Sequence, residues 1–147
     1  MNFKDNEQYM ITIKGEQIAD GKPEKVTLST VGDFKSREDG RFLITYEESE
    51  ATGFPGNTTT LEVKGQKQVT LLRLGPNNAQ LVIEKGVRHL CHYETGYGSL
   101  MIGVNGMTVE NSLTENGGEV SFSYKLDVNS SLLSINRMSI TVAKRRI

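Results

Sequence analysis

The sequence predicts an all-β fold, an antiparallel up-and-down β-barrel closed on itself and built from about eight to ten strands. Three observations carry that expectation. Glycine recurs beside Asp, Asn and Lys, as tight hairpins require. Between these turns apolar and polar residues alternate with a period of two, the signature of a half-buried strand. The connections are also too short for parallel crossovers, which need roughly a dozen residues or more.

The first strand is read from Tyr9, Ile11 and Ile13 alternating with Met10, Thr12 and Lys14, and Asp20-Gly21 turns it. Val26, Leu28 and Thr30 against Thr27 and Ser29 give the second, before Asp39-Gly40. Phe42, Ile44 and Tyr46 against Leu43, Thr45 and Glu47 give the third, and Leu61 and Val63 against Glu62 and Lys64 the next. Residues 69–74 are apolar on both faces, and Gly75-Pro76-Asn77-Asn78, Lys85-Gly86 and Asn105-Gly106 punctuate the middle of the chain. Residues 98–114 are long for one strand and carry Gly103 and Gly106, so a bulge or sharp bend is expected there. After Asn116-Gly117-Gly118, the Gly-free residues 119–147 offer room for a helix. Periodicity argues against one: Val120, Phe122, Tyr124, Leu126 and Val128 repeat every second residue, as do Met138, Ile140 and Val142. Residues 129–136 between these runs read as a loop. An open sheet of so many strands would leave vulnerable edges, which closure removes; a two-sheet sandwich is the alternative.

At 147 residues the chain has room for one domain, residues 1–147, and its 17 basic and 18 acidic residues are spread evenly to a net charge of −1. Nucleic acid is not an expected partner, since duplex binding relies on clustered Lys and Arg. No apolar run approaches the ~20 residues of a membrane-spanning helix. The polar Met1-Asn2-Phe3-Lys4 start lacks the basic, apolar and small-residue pattern of a secretory signal, so the cytoplasm is the expected compartment. The single cysteine, Cys91, cannot form an internal disulfide, in keeping with a reducing compartment. Asn57-Thr58-Thr59 and Asn129-Ser130-Ser131 match the short glycosylation pattern by chance.

Tyr46-Glu47-Glu48, Gly53, Thr59-Thr60, Arg73-Leu74-Gly75, Gly86, Tyr93, Gly98-Ser99-Leu100 and Tyr124, in this order and spacing, resemble the YwiB-like family of small bacterial proteins. The resemblance spans most of the chain and implies a calycin-type barrel, the broad class of lipocalins and streptavidin, without an established activity. The Gly-x-Trp by which lipocalins proper resemble one another has no counterpart, because the chain contains no Trp.

Arg73 is the most informative single residue. A two-residue loop before its strand would set Leu61 and Val63 beside Gln68 and Thr70, whereas a three-residue loop pairs Val63 with Val69 and Leu61 with Leu71. The second register buries more apolar surface and brings Arg73 beside Thr59 on the inner face. An always-charged guanidinium there needs a carboxylate or several acceptors. Glu48, on the face of Phe42, Ile44 and Tyr46, is the expected partner, with Tyr46, Tyr93 and Tyr124 supplying hydroxyls. Arg73 then sits either at the rim, in a structural ion pair or in solvent, or at the polar floor or mouth of a ligand pocket.

Other groups suggest less. Glu47, Glu48 and Glu50 lack a second acid cluster with which to flank a glycosidic bond. His89 and Cys91 would share one strand face with His92 on the other, too few ligands for a structural zinc, so no metal is expected. A haem held by one histidine, as in some calycin-like barrels, is a weaker idea than ordinary core or surface histidines. Gly96-Tyr97-Gly98 leads into a strand rather than a phosphate-receiving helix, and Lys144-Arg145-Arg146 reads as a solvated tail. No cofactor is implied and no reaction is named by these residues. The leading expectation is a barrel binding a small anionic or amphipathic molecule through Arg73, Glu48, Tyr46, Tyr93, Tyr124 and Thr59. A filled barrel serving as an interaction or structural module is the alternative, and the chain is expected to be a monomer, with edge-paired dimers left open.

Overall fold

The computed structural model describes residues 9–95 and 98–145. Residues 1–8, the Gly96-Tyr97 pair of the glycine-rich stretch and Arg146 of the basic tail lie outside them. The strands are β1 (Tyr9–Ala19), β2 (Lys22–Ser36), β3 (Arg41–Glu47), β4 (Thr58–Lys64) and β5 (Gln68–Leu74). They continue with β6 (Ala79–Glu84), β7 (Arg88–Thr95), β8 (Gly98–Asn111), β9 (Gly118–Val128) and β10 (Ser131–Lys144). Each pairs antiparallel with its sequence neighbours, and β1 closes on β10 to complete a ten-stranded barrel. The open sandwich is excluded. Among the described residues no helix is long and apolar enough to cross a membrane.

Local chemistry explains the turns. Asp20 and Gly21 take φ of 52° and 72°, the paired left-handed conformation that suits the twist of a two-residue hairpin. Residues 65–67 make a three-residue connection, so Val63 pairs with Val69, Leu61 with Leu71 and Thr59 with Arg73. The expected irregularity in β8 is a bulge at Met107, between the pairs Gly106↔Tyr124 and Thr108↔Ser123.

Two local readings are corrected. Residues 129–136 are not a loop: Asn129 and Ser130 alone turn the chain, with φ of 51° and 69°, and β10 starts at Ser131. A bulge between Leu132 and Ser134 breaks the periodicity there. Second, residues 48–57 form a long connection with one 3-10 turn at Glu50–Thr52, capped by Ser49 and ended by left-handed Gly53. His89 and Cys91 share one face of β7, as expected, pairing with the buried Val104 and Ile102, but they meet different surroundings, because the end of β6 folds over β8. Glu84 crowds Gly106, where a Cβ would lie 2.1 Å from the Glu84 carbonyl oxygen, and Lys85 bridges Gly106 directly. Cys91 is buried in the core, while His89 lies against an outer groove.

The barrel has two unlike ends. At the lower end, which carries the β2–β3, β4–β5, β6–β7 and β8–β9 connections, aromatic rings fill the interior. Tyr9 meets Phe34 edge-on at 5.4 Å, and Phe34 stacks on Phe42 at 5.8 Å. Above them lie the aliphatic layers of Ile11, Ile13, Ile44, Leu61, Leu71 and Ile83, all buried. The upper end is different because of β2. That strand pairs with β1 over residues 22–32 but with β3 only over residues 33–36, so a slit separates its upper part from β3.

Candidate functional site

Register alone places a polar ring at the upper end. Tyr46, Thr59, Arg73, Ala79, Tyr93 and Leu100 are successive partners across β3 to β8. On the opposite wall Tyr124, Asn136, Gln17 and Glu24 form a second row across β9, β10, β1 and β2. Partners across a ladder share a face, so both rows turn inward. Between them is a cavity of about 230 Å³, floored by Leu71 and Leu81 and walled by Val26, Leu126 and Met138. Arg73, Glu48, Tyr46, Tyr93 and Tyr124 all border it; Thr59 sits behind Glu48 and is wholly buried.

Arg73 points inward and is 7% exposed. Its expected ion pair with Glu48 is absent, and this corrects the reading of the pair. Glu48 Oε2 instead accepts from Thr59 Oγ1 at 2.6 Å, a shorter link that leaves the carboxylate half-buried. Among the described residues no carboxylate forms an ion pair with Arg73, and its buried Nε has no hydrogen-bond partner. The guanidinium lies flat on the Phe54 ring, Cζ 3.6 Å from the centroid, with Tyr93 5.9 Å away. Stacking of this kind offsets part of the cost of burial but supplies no acceptor.

Phe54 belongs to the site although no periodicity marks it; the sole signal is an aromatic residue in an otherwise polar loop. Asn57 holds it there. Its Nδ2 donates to the Phe54 carbonyl at 2.9 Å and to Asn77 Oδ1 at 3.1 Å, while its Oδ1 accepts from the Asn77 N–H at 2.9 Å. Gly75, at φ 143°, approaches so closely that a Cβ would lie 2.7 Å from Asn57 Oδ1. The 48–57 connection is thereby pinned to the β5–β6 turn. Asn57, 1% exposed, is thus a structural clamp within its glycosylation-like triplet.

Burial pushes the Tyr124 hydroxyl up to about 12, an effect that the nearby Arg73 charge moderates. Burial likewise raises Tyr46, reinforced by Glu48 and opposed by Arg73. Both phenols therefore remain neutral donors at ordinary pH. Asn136 Nδ2 donates to Ser134 Oγ at 2.9 Å in the opposite wall. The arrangement offers one buried, unneutralised cation, a mouth with Glu16, Glu24 and Glu48 against Lys25, and several neutral hydroxyls around apolar walls.

Elsewhere among the described residues the buried side-chain nitrogens and oxygens have partners. In the outer groove His89 Nε2 lies 2.9 Å from Glu84 Oε1, which also accepts from Gln68 Nε2 at 3.1 Å. On the outer face of β7 to β9, Arg88 makes a two-pronged pair with Asp127, at 3.1 Å from Nε and 2.6 Å from Nη2. Asn105 Nδ2 and the Ser130 N–H also donate to that carboxylate. Gly103 leaves the space for this network, since a Cβ there would collide with both side chains. No group of three or more His, Cys, Asp or Glu able to hold a metal exists among the described residues.

The model of the family described as "Domain of unknown function (DUF1934)" matches residues 11–140. The uncharacterized beta-barrel protein YwiB of Bacillus subtilis (strain 168) is 22% identical over 122 residues, covering 83% of this chain and 83% of that protein. The crystal structure of ywiB protein from Bacillus subtilis aligns with a TM-score of 0.80, over 97% of each chain at 18% identity, a likeness of fold. The YwiB-like resemblance read from the residues therefore holds in sequence and in architecture. With the match running from β1 into β10, the chain belongs to the DUF1934 family.

Proposed function

We propose that the protein binds a small anionic or amphipathic molecule in the upper-end cavity, with Arg73 as the anchor for its anionic group. The observation that supports this reading is the state of Arg73, buried beside a cavity with no ion-pair partner among the described residues and an unpartnered Nε. A guanidinium keeps its proton, so removing it from water without a carboxylate costs several kcal/mol. A bound carboxylate or phosphate would offset that cost with charge-assisted, two-pronged hydrogen bonds. Apolar walls would take the rest of the ligand, and the tyrosine hydroxyls would orient it. The binding unit is a single chain, because the free upper edge of β2 is guarded by Lys22, Pro23 and Lys25. It works in the cytoplasm, where its one cysteine stays reduced.

Native mass spectrometry of the protein purified from its own host tests the reading, with the Arg73→Met variant alongside. The expected result is a small anion carried by the wild type and missing from the variant. A wild type that arrives empty, and stays empty after dialysis against small carboxylates, would favour a filled barrel acting as an interaction module.

A further inference from the structure

We infer that the ligand is a zwitterion, with its anionic group on Arg73 and a cationic group at Glu48. This inference rests on the cavity reading above and names the class of molecule that the cavity takes. Arg73 lies in the same ladder row as Thr59 and Tyr46. Glu48 lies just past the end of β3, two residues beyond Tyr46, and its carboxylate reaches Thr59, the ladder partner of both Tyr46 and Arg73. Both border the cavity, yet neither neutralises the other: Glu48 is drawn aside by Thr59 Oγ1 at 2.6 Å, and Arg73 lies flat on Phe54.

Two opposite charges on one cavity, each held by a different neutral group, present a separated dipole rather than an ion pair. Glu24, at the end of the second polar row, and Glu16 add carboxylates at the slit beside β2, where the exposed Lys25, the ladder partner of Glu16, is the one other cation of the lining. Charge along the cavity therefore runs from a buried cation to a net negative opening. A plain anion would satisfy Arg73 but set its tail against Glu48 and Glu24. A molecule with an amine near its carboxylate satisfies both charges. At about 230 Å³ the cavity has room for roughly eight waters' worth of ligand, the scale of a single amino-acid-like molecule with an aliphatic body.

Isothermal titration of the intact protein with three probes of one skeleton tests this: leucine, 4-methylpentanoate and 3-methylbutylamine. Leucine is expected to bind at least roughly tenfold more tightly than either single-charge probe. Glu48→Gln should erase leucine's advantage over 4-methylpentanoate, and Arg73→Lys should weaken leucine and 4-methylpentanoate alike. If 4-methylpentanoate binds as tightly as leucine and depends on Arg73, the zwitterion inference fails while the anion reading stands. If no probe binds, both fail. The ranking of the three probes is measured on the wild-type protein, so it decides the matter even where a variant does not fold.

Discussion

Replacing Arg73 with Met removes a charge that the fold buries without a partner. The stacking lost against Phe54 is worth about 2 kcal/mol. The desolvation relieved is several kcal/mol, so urea denaturation should find Arg73→Met unchanged or more stable by up to about 2 kcal/mol. A loss of about 3 kcal/mol or more would mean that Arg73 has a stabilising partner after all. Asp127 behaves oppositely. Hydrogen bonding from Arg88 holds its carboxyl below the usual range, with the Ser130 N–H and Asn105 adding to the effect against the opposing cost of burial. A carboxyl whose folded pKa is depressed contributes stability that is complete above its unfolded pKa, near 4, and is lost as pH falls through the lower folded value. Acid titration of stability should therefore be shallower below about pH 4 in Asp127→Asn than in the wild type. Equal slopes would remove Asp127 from the account; Glu84 and Asp39, also lowered, would carry the remaining dependence. The direction of Arg73 was legible from the sequence, because one hairpin register buries more apolar surface than the other. Its surroundings were not, because Phe54 reaches it through an asparagine clamp that joins two loops distant in sequence.

Strand β9 supplies the largest wholly buried side chain, Phe122, whose ring stacks on Tyr124 at 6.2 Å. Phe122→Ala should cost roughly 3–5 kcal/mol in a urea titration, the range for emptying an aromatic core site; less than about 1 kcal/mol would invert the face assigned to β9. Between β6 and β7 the ladder is thin. Ala79↔Tyr93 and the Glu84↔Val87 bridge are its pairs among the described residues, and the Val82 N–H donates to Cys91 Sγ at 3.4 Å instead of a carbonyl. Sparse ladders open first, so amide exchange should be faster in β6 and β7 than in β1, β9 and β10. Uniform protection around the barrel would contradict this. Gly106 fixes the same seam from inside: Gly106→Ala drives a methyl into the Glu84 backbone and should destabilise by roughly 1–3 kcal/mol. Period-two patterning revealed β9 and most of its neighbours, and the glycines of β8 marked a bend. It failed at residues 129–136, where a bulge shifts β10 by one residue and mimics a loop, and it carried no sign that the fold of β6 over β8 sets His89 against an outer groove.

Closure of the barrel followed from short connections and alternation, both local properties. The slit beside β2 did not, since it depends on one long strand pairing with β1 above and with β3 only below. That asymmetry divides the molecule into a filled lower half, which holds the fold together, and an upper half that keeps a cavity and an unneutralised cation. Such a division concentrates stability at one end and tolerates its absence at the other, as binding sites commonly do. The most direct test of this account is a two-dimensional ¹H–¹⁵N NMR titration with 4-methylpentanoate, in the wild type and in Arg73→Met. Saturable shifts confined to the cavity walls, at Leu71, Arg73, Tyr93, Tyr124 and Met138, and abolished in the variant are the expected result. No saturable shift at millimolar probe, shifts centred on the outer groove around Leu43 and His89, or an unchanged response in Arg73→Met would contradict it.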